Sequence, residues 1–366
     1  MTRNPRRTEL GLLLFAWLIG VVCYATVDFA TLGTLPVNYL TLLIGSAVVL
    51  LAGHVVIRRL APHADPVLYP VAAMINLLGL VMIHRLDVAD ELTAAANDKK
   101  PPSPDAFAQA TWVLVALALF TLVLFLVSDH RKLQRYTFTS LVAGVVLLLL
   151  PLLPLIGTSI NGAQLWIRVG PLSFQPSELA KIALTIFFAG YLVRKREALA
   201  TVRRKVLGLG IPRGRDFGPL VVAWLVAVGI LAFQRDLGTA LMFFGVFVIL
   251  LYVSTQRRSW LIIGAALFAL ACVLGYLAFG HVQLRVKIWL DPWQYANNES
   301  YQLVQGLFGL ASGGLFGTGL GEGYPQFIPF AKTDFIAAAL GEELGLAGLF
   351  AIVMLFAILV ERGLRT

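Results

Sequence analysis

Ionisable residues inside or beside long apolar segments are the first candidates for chemistry in this sequence. Glu178 and Lys181 stand three residues apart at the start of one apolar segment, a spacing that places both on one face of a helix. Glu342 and Glu343 lie inside another, about two helical turns after Asp334, which opens that segment. A charge in hydrocarbon is costly, so such residues commonly mark function. We expect Glu342 or Glu343 to face a polar cavity or a basic partner.

A further candidate, Asp236, falls in the shortest connection between two apolar segments. Its carboxylate is well placed to cap the following helix, with Arg235 as a neighbour. The alternative to a functional role for Asp236 is that its carboxylate only caps the following helix. For the Glu178–Lys181 pair the alternative is an ion pair that fixes helix packing.

The longest external segment, residues 281–333, is not an ordinary hydrophilic linker. It carries Arg285, Asp291, Glu299 and Gln302, an apolar stretch over residues 303–315, and a run of glycines that favours close turns. The acids singled out inside or beside the membrane all lie toward one leaflet. This asymmetry indicates chemistry on an amphiphile held in the outer leaflet, with its head at the polar site and its tail among the helices.

The elements that position these residues are membrane spans. The 366 residues are 58% hydrophobic and only 13% charged, and the mean hydropathy is +0.82, which excludes a soluble protein. Apolar runs of about 20 residues predict an all-α polytopic transmembrane bundle and exclude a porin-like barrel. We predict ten spans, at residues 10–30, 38–57, 66–86, 106–128, 136–157, 177–193, 217–234, 237–255, 260–280 and 334–360.

The net charge of +9 is a signal of topology. Most Lys and Arg residues fall in linkers on one side, which the positive-inside rule makes cytoplasmic together with both chain ends. Anionic membrane lipid is therefore the expected neighbour of this charge, and nucleic acid is not. The residues concerned are Arg3, Arg6, Arg7, Arg58, Arg59, Arg131, Lys132, Arg135, Arg194, Lys195, Arg196, Arg203, Arg204, Lys205, Arg213, Arg215, Arg257, Arg258, Arg362 and Arg365.

Other segments carry weaker signals. Cys23 and Cys272 both lie in apolar runs and form no metal or redox motif, which excludes metal–thiolate and redox chemistry. Residues 87–105 are rich in acids and prolines and predict a flexible external loop. The basic residues 194–216 predict a solvated cytoplasmic loop.

A set of short motifs in a fixed order resembles the SEDS family (shape, elongation, division and sporulation) of RodA and FtsW type. The resemblance runs from about residue 66 to the end, and the two spans before it resemble the extended actinobacterial form of RodA. We therefore divide the chain into an N-terminal extension, 1–65, and a SEDS-type core, 66–366. The motifs are Asn161-Gly162-Ala163, Trp166-Ile167, Gln175 to Lys181, Asp236 to Thr239, Tyr301-Gln302, Gly313-Gly314, Gly317 to Gly319, Thr333 to Phe335 and Glu342 to Gly345.

The resemblance implies a peptidoglycan glycosyltransferase in the bacterial cytoplasmic membrane. Such an enzyme polymerises lipid II at the outer face, for cell elongation and shape, together with a class B penicillin-binding protein. An acceptor hydroxyl attacks an anomeric carbon and undecaprenyl pyrophosphate leaves, so the site needs a carboxylate base and cations for the diphosphate. Lys181, Arg285 or a divalent cation would meet the phosphates, although no ligand cluster specifies a metal. The other candidates for binding substrate are Glu178, Gln302, Asp334, Glu342 and Glu343.

The chain departs from the family pattern at the favoured catalytic position. The family carries a second Asp in the loop before the Tyr-Gln pair, and this chain has Tyr295 there. Our working hypothesis is that Asp291 or Glu299 substitutes, with Asp236 as a further catalytic carboxylate. The alternative is loss of polymerase activity.

A second departure is that family members continue through two further helices, whereas this sequence stops at Thr366. We therefore expect a fragment or a truncated gene product.

Two other functions stay open. A scaffold that only activates a penicillin-binding protein is favoured by Tyr295 and by the early end of the sequence. A transporter of lipid-linked precursors would place its ionisable residues near the midplane, commonly in broken helices, whereas here they crowd one side. The polymerase hypothesis requires that carboxylates far apart in sequence, Asp236, Asp291, Glu299 and Asp334, meet in one pocket open to the outer leaflet.

Overall fold

The computed structural model describes residues 5–35, 39–153, 156–160, 163–169, 172–200, 204–206, 209–211 and 214–366. Within these residues ten helical segments are long and apolar enough to cross a membrane, and each overlaps one of the ten predicted spans. The largest differences in bounds are at the third, which continues to Ala96, and at the fifth, which ends at Leu152. The prediction of an all-α polytopic bundle is confirmed. Five residues used in the sequence analysis, Arg3, Asn161, Gly162, Arg203 and Arg213, lie outside the described residues.

The described chain forms helices α1 to α12 and short strands β1 to β5. The helices are α1 Pro5–Leu32, α2 Tyr39–Leu60, α3 Leu68–Ala96, α4 Asp105–Leu126, α5 Thr137–Leu149, α6 Pro176–Ala200, α7 Gly214–Phe233, α8 Leu237–Thr255, α9 Ser259–Ala278, α10 Gly280–Leu290, α11 Tyr301–Gly313 and α12 Ile336–Arg365. The strands are β1 Gly157–Ile160, β2 Ala163–Val169, β3 Leu172–Phe174, β4 Arg204–Val206 and β5 Leu209–Ile211.

Two compact units make up the structure. The first contains the described residues up to Leu126 and those from Gln283 onward, and the second contains those from Val127 to Val282. The first unit thus joins α1–α4 to the long external segment and α12. The second holds α5–α9 and all five strands.

The second unit contains two small antiparallel sheets that the sequence analysis did not predict. Strands β1, β2 and β3 pair in that order between α5 and α6, and β4 pairs with β5 between α6 and α7. The basic segment predicted as a solvated loop is thus partly helix, since α6 continues to Ala200, and partly a hairpin. The core of this unit is aromatic: Phe187, Phe188 and Phe247 are buried among α6, α7 and α8.

The N-terminal helix α1 is tied to the first unit by buried polar side chains. Asp28 accepts a hydrogen bond from Nε2 of His84 on α3 at 2.6 Å, and the His84 ring stacks on Tyr24. At the other end of α1, Glu9 contacts Arg6 and lies 2.8 Å from Nδ1 of His54 on α2. Polar groups in hydrocarbon need partners inside the protein. These pairs therefore fix α1 against α2 and α3.

Candidate functional site

A buried ion pair joins α3 to α12 in the first unit. Nε of Arg85 lies 2.8 Å from Oε1 of Glu343, and both side chains are at most 5% exposed. Arg85 also donates to the carbonyl oxygen of Gly323 at 2.7 Å. The second carboxylate oxygen of Glu343 accepts from the backbone N–H of Gly321 at 3.1 Å. The basic partner expected for one of the two adjacent acids is therefore Arg85.

The neighbouring acid, Glu342, is held by the same glycine-rich loop. Its Oε1 accepts from the backbone N–H of Tyr324 at 2.7 Å, and the residue is only 5% exposed. Both acids thus organise the loop between α11 and α12. They are satisfied by contacts within the protein, which indicates a role in positioning the loop.

Helix α12 is interrupted at Gly345, and the glycine-rich loop inserts into the break. Gly345 has φ 69°, outside the helical range. The carbonyl oxygens of Glu342 and Glu343 accept from Thr318 and Gly319 at 2.9 and 3.1 Å. In turn the N–H groups of Leu346 and Ala347 donate to Gly314 and Leu315, each at 3.0 Å. The two helix bonds lost at the break are replaced by four bonds to the loop, which satisfies the buried backbone.

A close approach of backbones makes this insertion possible. Gly317 has φ +86°, and a Cβ built there would lie 2.2 Å from the carbonyl oxygen of Glu343. A residue with a side chain fits neither the conformation nor the space. Glycine is therefore required at position 317, which belongs to the run of glycines predicted to form close turns.

Lys332 gathers three carboxylates at the outer end of the first unit. Its Nζ lies 2.6 Å from Asp87, 2.7 Å from Asp90 and 2.9 Å from Asp105. Burial lowers the pKa of Lys332, but the hydrogen bonds to the three acids outweigh it and raise the pKa above its ordinary value. Lys332 is therefore charged at neutral pH and connects the segment before α12 to α3 and α4.

The prediction of a flexible loop over residues 87–105 is wrong for most of that segment. Helix α3 continues to Ala96, and Asp87 is 5% exposed. The carboxylate of Asp87 accepts from the backbone N–H groups of Asp105 and Ala106, at 3.1 and 2.8 Å, and so caps α4. Three of the acids that suggested solvation, Asp87, Asp90 and Asp105, instead bind Lys332, and Asp87 also caps α4.

Replacing Lys332 by Met is expected to lower the free energy of unfolding by about 1–3 kcal/mol, because three acids then face one another without a cation. The raised pKa means that this contribution is complete at neutral pH and is lost only above the ordinary lysine pKa, near 10.4. Thermal unfolding in detergent at pH 7 measures the change. Lys287→Met, at an exposed position on α10, is the matched control, and equal melting temperatures for the two variants would contradict the prediction.

The turn after α10 presents the two candidate bases. Oδ1 of Asp291 accepts from the backbone N–H groups of Trp293 and Gln294, at 3.2 and 3.4 Å. Buried Ser300 closes the turn through a hydrogen bond from its hydroxyl to the carbonyl oxygen of Pro292. Asp291 and Glu299 are both exposed. The turn therefore holds its shape by internal contacts and leaves both carboxylates on the outside.

Three other candidate residues of the first unit lie before or after this turn in the chain: Arg285, Gln302 and Asp334. Arg285 is exposed on α10, and Nε2 of Gln302 donates to the carbonyl oxygen of Pro329 at 3.4 Å. Asp334 is exposed and precedes α12, which begins at Ile336, so the expectation that it opens the tenth span is corrected by two residues.

In the second unit, Glu178 and Lys181 form the ion pair that their spacing predicts, at 2.7 Å. Nζ of Lys181 also lies 3.9 Å from Sδ of Met242 on α8. Lys181 also lines an apolar groove of about 260 Å³ between α6 and α8. A cation at the end of an apolar groove suits an amphiphile with an anionic head. The groove is lined by Lys181, Ile182, Thr185, Ile186, Met242, Phe243 and Val246.

Asp236 is the N-cap of α8, as the sequence predicts. Its Oδ1 accepts from the backbone N–H of Thr239 at 3.0 Å. The preceding connection is tight: Arg235 has φ 62°, and Gln234 donates to the carbonyl oxygen of Leu148 at 2.6 Å. The other oxygen, Oδ2, is buried without a hydrogen-bond partner among the described residues. A capping role uses only one oxygen, so the second is available to a donor from outside.

Arg85 and Lys332 are two residues of this site that were not among the candidates predicted from the sequence. Both would have been found by asking which cations can reach acids in apolar segments. The predicted carboxylates divide between the two units, with Asp236 and Glu178 in the second and the others in the first. Their meeting in one pocket stays a prediction. Within the described residues no group of three or more His, Cys, Asp or Glu has a geometry that could hold a metal ion.

The chain is similar to proteins of bacterial cell-wall synthesis. The family model for FtsW, RodA and SpoVE, described as cell cycle protein, matches residues 65–366. The chain is 45% identical over 362 residues to peptidoglycan glycosyltransferase RodA of Mycobacterium tuberculosis, covering 99% of this chain and 76% of that protein. It is 32% identical over 305 residues to the probable peptidoglycan glycosyltransferase FtsW of Geobacter metallireducens, covering 82% and 76%.

A solved peptidoglycan synthase complex that coordinates polymerization and crosslinking contains a similar chain. That chain is 27% identical, with a TM-score of 0.48, and the match covers 88% of this chain and 76% of the solved one.

Proposed function

Since the chain belongs to the FtsW, RodA and SpoVE family of cell cycle proteins, we infer that it is a peptidoglycan glycosyltransferase. It is a multi-pass protein of the cytoplasmic membrane and polymerises lipid II at the outer face. The observation that carries this inference is the 45% identity over 99% of the chain to a RodA of that activity. Ten membrane helices with exposed carboxylates on one external segment suit a substrate whose sugar head and isoprenoid tail need different surroundings.

We propose Asp291 or Glu299 as the base that removes the proton from the acceptor hydroxyl. Both carboxylates are exposed on a turn that is fixed by Ser300 and by backbone bonds to Asp291. A base must reach the hydroxyl within about 2.6–3.2 Å, and an exposed group on a rigid turn can do so. The working hypothesis that one of these acids replaces the Asp absent at Tyr295 therefore remains our proposal.

We propose that Lys181, Arg285 or a divalent cation neutralises the diphosphate of the leaving lipid. Lys181 lies at the polar end of the apolar groove between α6 and α8, so a phosphate beside it would have hydrocarbon next to its tail. The ammonium group of Lys181 already forms an ion pair with Glu178 at 2.7 Å. Phosphate binding would therefore replace the Glu178 carboxylate as the partner of Lys181. Glu178, Gln302, Asp334, Glu342 and Glu343 are proposed to bind or to shape the site for the remaining parts of the substrate.

We propose a class B penicillin-binding protein as the partner, on the resemblance to SEDS proteins. Under the scaffold alternative the chain binds the same partner but does not polymerise lipid II. The transporter alternative gains one supporting observation, because α12 is discontinuous at Gly345 and broken helices occur in transporters. In this break, however, the loop residues Gly314 and Leu315 already occupy the freed N–H groups, which leaves them unavailable to a transported head group.

Substitution of Asp236 separates the polymerase from the scaffold. Asp236→Asn keeps an oxygen for the N–H of Thr239 and removes the charge, whereas Asp236→Ala also loses the cap, at about 1 kcal/mol of stability. A polymerase that uses the charge should lose at least about tenfold in glycan synthesis in both variants. A polymerase that needs only the cap would recover with Asn.

The measurement is the formation of glycan from lipid II by the purified chain with its partner, together with crosslinking by the partner on preformed glycan. A scaffold would make no glycan in any variant and would still stimulate the partner. Stimulation without glycan synthesis by the parent chain would therefore overturn the proposed function.

A further inference from the structure

An elongated apolar slot lies between α2, α3 and α4 in the first unit. Its volume is about 450 Å³, and its lining is almost wholly apolar. It is separate from the exposed turn that carries Asp291 and Glu299, since residues of that turn do not line it. Three polar side chains line it, Asp65, Tyr69 and Asn76. Two of them have partners in the protein: the Tyr69 hydroxyl donates to the carbonyl oxygen of Leu50 at 3.0 Å, and Asp65 pairs with Arg362 at 3.2 Å.

The slot occupies the cytoplasmic half of the helices. On α2 it runs from Val49, at the middle of the helix, to Ile57 near its end, and on α4 from Val113 to Leu124. At 1.5 Å per residue these distances are about 12 and 16 Å. The hydrocarbon of one leaflet is about 15 Å thick. The slot therefore has the length of a single acyl chain of the inner leaflet.

One end of the slot lies beside a basic helix end. Ala61 and Asp65 line the slot just after the last turn of α2, which carries the exposed residues Arg58 and Arg59. Asp65 is neutralised by Arg362, so it does not cancel their charge. Arg58 and Arg59 do not line the slot itself, but their long side chains start from the helix turn beside it. A head group at this end would lie next to these guanidinium groups, which bind phosphate well because they can donate paired hydrogen bonds.

We propose that this slot binds an anionic glycerophospholipid of the cytoplasmic leaflet, with one acyl chain between α2, α3 and α4 and its phosphate at Arg58 and Arg59. Such a lipid would fill the space between the N-terminal helix pair and the rest of the first unit. The site faces the leaflet opposite to the one that supplies lipid II. It is therefore a structural lipid site that does not depend on the proposed glycosyltransferase chemistry.

The test is native mass spectrometry of the purified chain in mild detergent, titrated with dioleoyl phosphatidylglycerol or dioleoyl phosphatidylcholine. The two lipids have the same chains and differ in head-group charge. Each basic residue near a phosphate favours the anionic lipid by about 1 kcal/mol, which is about fivefold in Kd. We expect phosphatidylglycerol to bind about 5- to 25-fold more tightly than phosphatidylcholine.

Two variants locate the binding. Ala116→Phe, on the wall of the slot, is expected to weaken phosphatidylglycerol binding at least about fivefold, whereas Ala118→Phe, exposed two residues further along α4, should not. Arg58→Gln with Arg59→Gln should reduce phosphatidylglycerol binding to the phosphatidylcholine value, and both positions are exposed, so folding is not at risk.

Three results would overturn the proposal. Equal affinity for the two lipids in the parent chain would mean ordinary boundary lipid, and an unchanged Kd in Ala116→Phe would place the lipid elsewhere. Displacement of phosphatidylglycerol by equimolar undecaprenyl phosphate would assign the slot to polyprenyl lipids. Glycan synthesis is not part of the readout, so failure here leaves the proposed function untouched.

Discussion

Protein in which Asp291 and Glu299 are both replaced by Ala is expected to polymerise lipid II at least about a hundredfold more slowly than the parent chain. A positioned general base contributes about 10²–10⁴-fold to proton transfer, and these two acids are the proposed replacements for the Asp that Tyr295 displaces. Each single variant should show which acid is the base. The measurement is the initial rate of glycan formation by purified protein with its penicillin-binding partner.

The matched control for this experiment is Glu322→Ala. Glu322 is also an exposed acid of the external segment but lies outside the turn. Its removal should leave the rate within about twofold, since surface substitutions away from a site have small effects. Unchanged glycan products in the double variant would refute the substitution of the missing Asp by either acid. Glu299→Ala and Glu322→Ala should melt like the parent chain, because both carboxylates are exposed. Variants with Asp291→Ala should melt slightly lower, because the Asp291 carboxylate accepts two backbone hydrogen bonds of the turn.

The largest expected effect on stability is that of Arg85→Met. Breaking a buried ion pair leaves an uncompensated charge and typically costs about 3–5 kcal/mol. Here the uncompensated group is Glu343, whose side chain is 0% exposed, and the carbonyl oxygen of Gly323 loses its donor as well. We expect a lower melting temperature in detergent and loss of glycan synthesis, since the loop between α11 and α12 loses its anchor.

A second substitution tests the cause of that loss. In Arg85→Met with Glu343→Gln, the amide oxygen can still accept from the N–H of Gly321 while the buried charge is gone. The double variant should therefore melt above Arg85→Met alone, by several degrees. If it melts at the same temperature or below, the stability of this region does not depend on charge neutralisation. A smaller effect of Glu343→Gln alone than of Arg85→Met would be consistent, because a lone Arg85 can extend its chain toward water.

The sequence predicted the membrane spans because their signal is local. A run of apolar residues of sufficient length identifies a span without knowledge of its neighbours, and the same holds for the cap at Asp236 and the ion pair of Glu178 with Lys181. The partner of Glu343 could not be predicted in this way. Arg85 is 258 residues away in the chain, and nothing in its surroundings distinguishes it from a charge at the end of a span.

Two further features depend on contacts between distant segments. The break at Gly345 lies inside a predicted span, and it exists because the loop at Gly314–Gly319 replaces the lost helix bonds. Asp87 and Asp90 were expected to be solvated because their cation, Lys332, is distant from them in the sequence. In both cases composition indicated the character of the segment correctly but could not reveal what it contacts.

The break in α12 also changes how deep its acids lie. The apolar part after Gly345, Leu346 to Val360, is about 22 Å long at 1.5 Å per residue, which is shorter than the hydrocarbon of a bilayer, about 30 Å. The residues before the break must therefore supply the rest of the crossing. Glu342 and Glu343 then lie just beneath the outer boundary of the hydrocarbon, a depth that water does not reach, so the protein itself must solvate their charge.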